Sequence, residues 1–202
     1  MYPDLLVLFK RAVTIVQVRT ISRKDFLEVS LKNVPRDIGF YLAGFADGEG
    51  SFNVSFRKRD DFKQGFKVSL SFNVSQKEKV ILALFKRYLG CGTLRQRKDG
   101  IWYYEVTNLN AIEQNVIPFF KKFHFLSQKK KRDFSKFCQI FEIIKKEEHL
   151  TEEGIKKILD IRRQMNDGGK RKYSETEIVH QKESSETTRQ TVEKTDDIVR
   201  SS

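Results

Sequence analysis

Cysteine, histidine and long apolar runs are scarce in this 202-residue chain. Its two cysteines, Cys91 and Cys138, lie far apart without ligand partners at regular spacing. That excludes a disulfide framework and a cysteine-based zinc site, and it suits buried free thiols in a reducing compartment. The histidines His124, His149 and His180 share no ligand spacing, so they are read as ordinary surface or core residues. The apolar stretch Leu5–Val18 is broken by Lys10 and Arg11 and is too short to cross a bilayer, so no membrane span is expected. Acids are also in deficit, 27 against 39 lysines and arginines, with an isoelectric point near 9.7. Such a balance favours a polyanionic partner, nucleic acid or an anionic membrane face, without choosing between them.

What is present is enough for one compact domain: 39% hydrophobic residues, with 17 phenylalanines in the chain. The basic excess sits between residues 35 and 165, with 26 basic and 16 acidic side chains, whereas residues 166–202 carry 7 and 8. Three regions follow: an N-terminal extension (1–34), a patterned core (35–165) and a polar tail (166–202). The tail lacks phenylalanine, tryptophan and leucine, cannot offset its ordering entropy by burial, and is read as disordered. Residues 5–24 hold five basic and no acidic side chains, which suits an organelle transit segment.

Within the core, Pro35 and Asp37 are start signals for a helix carrying Ile38, Leu42 and Phe45 on one face. It runs into the glycine-punctuated stretch Asp47-Gly48-Glu49-Gly50. Strands are predicted at 51–56, where Phe52, Val54 and Phe56 alternate with polar residues, and at 66–75, where Phe66, Val68, Leu70, Phe72 and Val74 do the same. Lys77–Leu89 reads as a helix stopped by Gly90. Thr93–Arg97 and Trp102–Thr107 read as a hairpin joined by Lys98-Asp99-Gly100. Asn110–Phe120, Lys130–Glu147 and Thr151–Met165 read as helices, the middle one with Phe134, Phe137, Cys138 and Phe141 as its apolar stripe. The class is α+β, ordered α-β-β-α-β-β-α with an extra C-terminal helix.

Leu42-Ala-Gly-Phe-Ala-Asp-Gly-Glu-Gly50 resembles the LAGLIDADG motif of homing endonucleases at every position, with Phe, Ala, Gly and Glu as familiar departures. The order of elements, Phe72-Asn-Val-Ser-Gln-Lys77 before a helix, and Lys129-Lys-Lys-Arg-Asp-Phe134 extend the resemblance over about residues 37–165. Ala43, Gly44 and Gly48 are small, so two copies of this helix could approach closely, with Leu42 and Asp47 in the same contact. Two Glu49 carboxylates would then meet. With scissile phosphates and water they make a credible Mg²⁺ site for phosphodiester hydrolysis, a task suited to oxygen-ligated divalent metals. A single motif therefore predicts a homodimer on a pseudo-palindromic double-stranded DNA site.

The resemblance also implies a four-stranded antiparallel saddle in the major groove. Its wet faces offer Asn53, Ser55, Arg57, Lys67, Ser69, Ser71, Asn73, Arg95, Arg97, Tyr103, Glu105 and Thr107 as base or phosphate contacts, with Arg95 and Arg97 as guanine readers. Gln76 matches the family's polar residue near metal and water, and Lys129 or Lys130 its active-site lysine. Where some relatives carry another basic residue after the glutamine, this sequence has Val80, with Lys79 beside it. Asp47, two residues from Glu49, points away from it on a helix and is assigned helix-end hydrogen bonding. Three functions remain open: a homing endonuclease of a mitochondrion or chloroplast, an intron-RNA-binding maturase on the same scaffold, or a non-cleaving DNA-binding protein. The acid at position 49 argues against the last.

Overall fold

The computed structural model describes residues 33–59, 61, 65–165, 173–174 and 177–178, all but Asn33 within the compact unit that begins at Val34. Residues 1–32 of the N-terminal extension, with the transit-like stretch, and most of the polar tail lie outside the described residues. Helix α1, Arg36–Glu49, starts directly after Pro35, with Asp37 in its first turn where a carboxylate meets unpaired amides. Its buried face is Gly39, Leu42, Ala43 and Ala46. Ile38 and Phe45, expected on that face, flank it half-buried. Small residues carry the stripe because α1 lies close on its neighbours: a Cβ on Gly39 would stand 2.3 Å from the Phe123 ring.

Gly50 turns the chain into extended backbone, so β1 (Gly50–Lys58) follows α1 without a loop. It pairs antiparallel with β2 (Phe66–Gln76), from Gly50 opposite Val74 to Lys58 opposite Phe66. Helix α2, Lys79–Leu89, ends at Gly90 with φ +66°, a left-handed position where glycine carries no Cβ penalty. Strands β3 (Thr93–Gln96) and β4 (Trp102–Val106) complete the sheet in the order β1-β2-β4-β3. The two hairpins were legible, but not that β4 docks on β2, with Phe72 opposite Val106 and Gln76 opposite Trp102.

Three helical pieces, Leu109–Ala111, a π-turn Ile112–Val116 and Ile117–Lys122, run on as α3. Then come α4, Gln128–Lys145, a short 3₁₀ turn at Glu148–Leu150, and α5, Glu152–Arg163. The core is aromatic. Phe52 of β1 lies with its ring 5.0–5.8 Å from those of Phe72, Phe120, Phe125, Phe134 and Phe137. Full burial of such a side chain contributes about 1.5–3 kcal/mol. On α4 the buried stripe is Phe137, Ile140, Phe141 and Ile144, headed by the buried Asp133. Phe134 and Cys138 sit half-buried at its margin.

Part of the tail read as disordered is packed. Tyr173 sets its ring 5.3 Å from Phe66, and Ile178 is buried. Two isolated apolar residues find core contacts that an average over a polar segment hides. No helix among the described residues is long and apolar enough to cross a membrane.

Candidate functional site

The site grows from the seam where α1 becomes β1. Glu49, the last residue of α1, is exposed. Asp47, one position before Gly48, turns the other way: its carboxylate accepts the amides of Leu126 (3.0 Å) and Ser127 (2.9 Å) and the Ser127 hydroxyl. Ser127 is in turn the N-cap of α4, its oxygen accepting the Lys130 amide at 3.2 Å. Thus the end of one helix holds the start of another, as the helix-end role predicted for Asp47 requires. Partial burial alone would raise the Asp47 carboxyl. The Ser127 and Leu126 hydrogen bonds, with the Lys130 charge nearby, outweigh it and hold the group below its ordinary value.

From this anchored turn Lys130 reaches back and donates its ammonium to the Gly50 carbonyl. Burial lowers its proton affinity, and the carboxylates of Asp133, Asp47 and Glu49 only partly restore it. Of the two lysines named as alternatives, Lys130 is half-buried against the seam, while Lys129 is exposed. The chain places Gln76 at the last position of β2, and the β1–β2 register brings that strand end alongside the final turn of α1. Its carboxamide oxygen accepts the Lys77 amide at 2.7 Å. Opposite it, the Trp102 ring carries the Lys79 ammonium 4.7 Å from its centroid, while Val80 points largely to solvent.

Leu42 and Ala43, expected in a contact between subunits, are 0% and 1% exposed within the single chain and belong to its core. Asp47 spends its carboxylate on its own α4. The open stripe of α1 is instead Tyr41, Gly44 and Gly48, with Phe40 beside it; a Cβ on either glycine meets nothing within 4 Å. The helix phase explains the difference, since 42, 43 and 46 fall opposite 41, 44 and 48.

The sheet face turned from the helices gathers the predicted contact residues into rows. Asn73 and Glu105 align across β2 and β4, flanked by Ser51 and Thr93, which were not among the predicted contacts; Tyr103 and Arg95 form the next row, beside Ser75, also outside that set. Toward the β1–β2 turn come Asn53 opposite Ser71, Ser55 opposite Ser69, and Arg57 opposite Lys67. Arg97 and Thr107 lie just past the strand ends. Arg97 still joins the face, its guanidinium 4.3 Å over the Tyr103 ring, with Arg95 at 5.2 Å from the same ring. Thr93 and Ser127 were not anticipated. The alternation signal covered Thr93, and the Ser-before-helix signal covered Ser127. Beyond the end of β4, Arg57, Lys67, Ser69, Thr107, Asn108 and Asn110 help line a cavity of about 540 Å³.

Residues 42–141 match the family model described as LAGLIDADG endonuclease. The chain is 30% identical over 154 residues to the Probable intron-encoded endonuclease 2 of Neurospora crassa, spanning 74% of this chain and about a third (32%) of that relative. The homing endonuclease I-TnaI superposes with a TM-score of 0.61 and 32% identity, over 65% of this chain and 89% of that one. I-SmaMI, bound to an uncleaved DNA target in the presence of calcium ions, superposes with a TM-score of 0.61 and 34% identity, over 63% and 44%. The α-β-β-α-β-β-α order and the acid-tipped helix define a LAGLIDADG fold. The chain belongs to the LAGLIDADG endonuclease family.

Among the described residues no three His, Cys, Asp or Glu side chains gather into a metal cluster. Glu49 supplies one exposed, hard oxygen donor per chain at the rim of the sheet, the donor type that suits Mg²⁺ or Ca²⁺.

Proposed function

We propose that the chain is a sequence-specific homing endonuclease that acts as a homodimer and makes Mg²⁺-dependent double-strand breaks in a long, pseudo-palindromic DNA site. The observation that carries this reading is the position of Glu49, exposed at the tip of a helix whose open stripe is Tyr41, Gly44 and Gly48. Two such stripes, packed across a twofold axis, bring two Glu49 carboxylates together and set two sheets end to end. Each sheet meets one half-site, which is why the target repeats with inverted symmetry.

Glu49 from each copy, with phosphate oxygens, would hold the metal. When bound there, a divalent cation supplies neutralisation of the phosphate charge and acidification of water. Lys130, its ammonium seated on the carbonyl of Gly50, the residue after Glu49, adds a fixed cation at the same seam, where negative charge builds as the phosphodiester breaks. Gln76, at the strand end nearest the seam, offers a carboxamide that orients water. Arg57 and Lys67 meet phosphates at the outer end of the half-site, and the Arg95–Tyr103–Arg97 group reads bases nearer the centre. An organelle location, mitochondrion or chloroplast, goes with this reading and is supported by kinship with an intron-encoded relative.

The test is Glu49→Gln on the sequence formed by joining the host gene across the reading frame. The variant is expected to keep DNA affinity and lose Mg²⁺-dependent cleavage. Equal cutting by both proteins rejects the role of Glu49. Binding to intron RNA without any DNA site would replace the nuclease with a maturase.

A further inference from the structure

We infer that Asp47 is a positioning residue for cleavage, acting through Ser127 and the first turn of α4 to fix Lys130 beside Glu49; this rests on the endonuclease reading above. The chain of contacts is continuous. One Asp47 oxygen takes the Leu126 and Ser127 amides at 3.0 and 2.9 Å, and the other takes the Ser127 hydroxyl. The Ser127 oxygen receives the Lys130 amide at 3.2 Å, and the Lys130 ammonium ends on the Gly50 carbonyl, next to Glu49.

Asp47, in the last turn of α1 and three positions before Gly50, also decides where α4 begins. Glu49, at the end of that turn, and Lys130, seated on the Gly50 carbonyl that follows it, are thereby referenced to one stretch of backbone. A flexible lysine gains most from such a reference, because its four-carbon stem otherwise samples many rotamers. Misplacement of a reacting group by about 1 Å costs on the order of a hundredfold in rate. Asp47 does this with hydrogen-bond acceptors. Its orientation away from the exposed Glu49 tip distinguishes it from a second metal ligand.

The acceptor role separates two substitutions. An asparagine in place of Asp47 would retain an oxygen for the two amides and an NH₂ that can pair with the Ser127 oxygen; an alanine retains nothing. Asp47→Ala is therefore expected to slow single-turnover cleavage by about 10- to 100-fold, the range seen when a supporting shell is removed, with unchanged DNA affinity. Asp47→Asn should recover most of the parental rate. The double variant Asp47→Ala with Lys130→Met should be no slower than Lys130→Met alone, since both changes break one linkage. Amide hydrogen exchange should report faster exchange at Ser127 and Lys130 in Asp47→Ala. If that protein does not fold, Ser127→Ala breaks the same linkage one step later and should slow cleavage in the same direction.

Cleavage by Asp47→Ala at the parental rate overturns the inference, as does an Asp47→Asn protein as slow as Asp47→Ala, or additive losses in the double variant. A parent protein that cuts no DNA overturns the endonuclease reading itself. A parent that cuts, with variants indifferent to Asp47, overturns the positioning role alone.

Discussion

Gly39 of α1 and Phe123 at the end of α3 are in such close approach that a Cβ on the glycine would lie 2.3 Å from two ring carbons. Phe123 is itself 1% exposed and packed among Phe40, Phe119 and the Lys122 ammonium, so the ring has little freedom to withdraw. Gly39→Ala is expected to destabilise the fold by about 1–3 kcal/mol, the usual cost of overpacking, despite alanine's better helix propensity. Urea unfolding measures it. A variant as stable as its parent would mean that α1 is not held at this depth.

Gly44, one turn farther on, predicts the opposite. Nothing lies within 4 Å of its would-be Cβ, so Gly44→Leu has room in the single chain and should leave its unfolding midpoint close to that of the parent. In the proposed dimer the same leucine would force the two helices apart. Sedimentation of the DNA complex should fall from two protomers to one, with cleavage lost. A dimer that survives Gly44→Leu would place the subunit contact elsewhere.

How much of this was legible beforehand depended on the range of the interaction. The strands at Phe52–Phe56 and Phe66–Val74 followed from an alternation that burial then obeys residue by residue. The nine-residue motif names Glu49, and the structure sets it exposed at the end of α1. The burial of Leu42 and Ala43 within the single chain was not legible, because a motif names which residues are small or apolar, whereas the depth of α1 depends on Gly39 meeting Phe123 in a distant segment. The seating of Lys130 on the Gly50 carbonyl, the burial of Asp133 and the docking of β4 on β2 all depend on partners far away along the chain. No local period encodes them, nor the π-turn at Ile112–Val116, which inserts an off-period step into an otherwise helical run.

The cysteines offer a test of burial that is independent of DNA. Burial pushes the Cys91 thiol up to about 11, partly offset by the Tyr104 hydroxyl beside it. Burial likewise pushes Cys138 up to about 11, with Lys121 opposing and Glu142 reinforcing the shift. Against an ordinary value of 9.0, the thiolate fraction at pH 8 falls about a hundredfold. Iodoacetamide should label the native protein far more slowly than the urea-unfolded chain at pH 8, and the native rate should keep rising as pH climbs toward 11. Labelling of native protein at the unfolded rate would show that neither thiol is protected.

Glu105 makes the sharpest claim about recognition. Its carboxylate accepts from Arg95 at 3.3 Å and from the Tyr103 hydroxyl at 3.4 Å, while Arg95 and Arg97 both lie over the Tyr103 ring. An exposed ion pair of this kind contributes little to stability, but it sets the plane of the Arg95 guanidinium before DNA arrives. That plane matters for the two-bond contact to a guanine edge, which discriminates by about 1–3 kcal/mol. Arg95→Ala should therefore lose discrimination at one base pair of each half-site. Glu105→Gln should weaken the same discrimination while binding all DNA somewhat more tightly, because a negative charge facing the phosphates is gone. Titrations against a panel of half-site substitutions, repeated at several salt concentrations, separate the two effects. If Glu105→Gln keeps the parental base preference, Arg95 does not depend on its partner for aim.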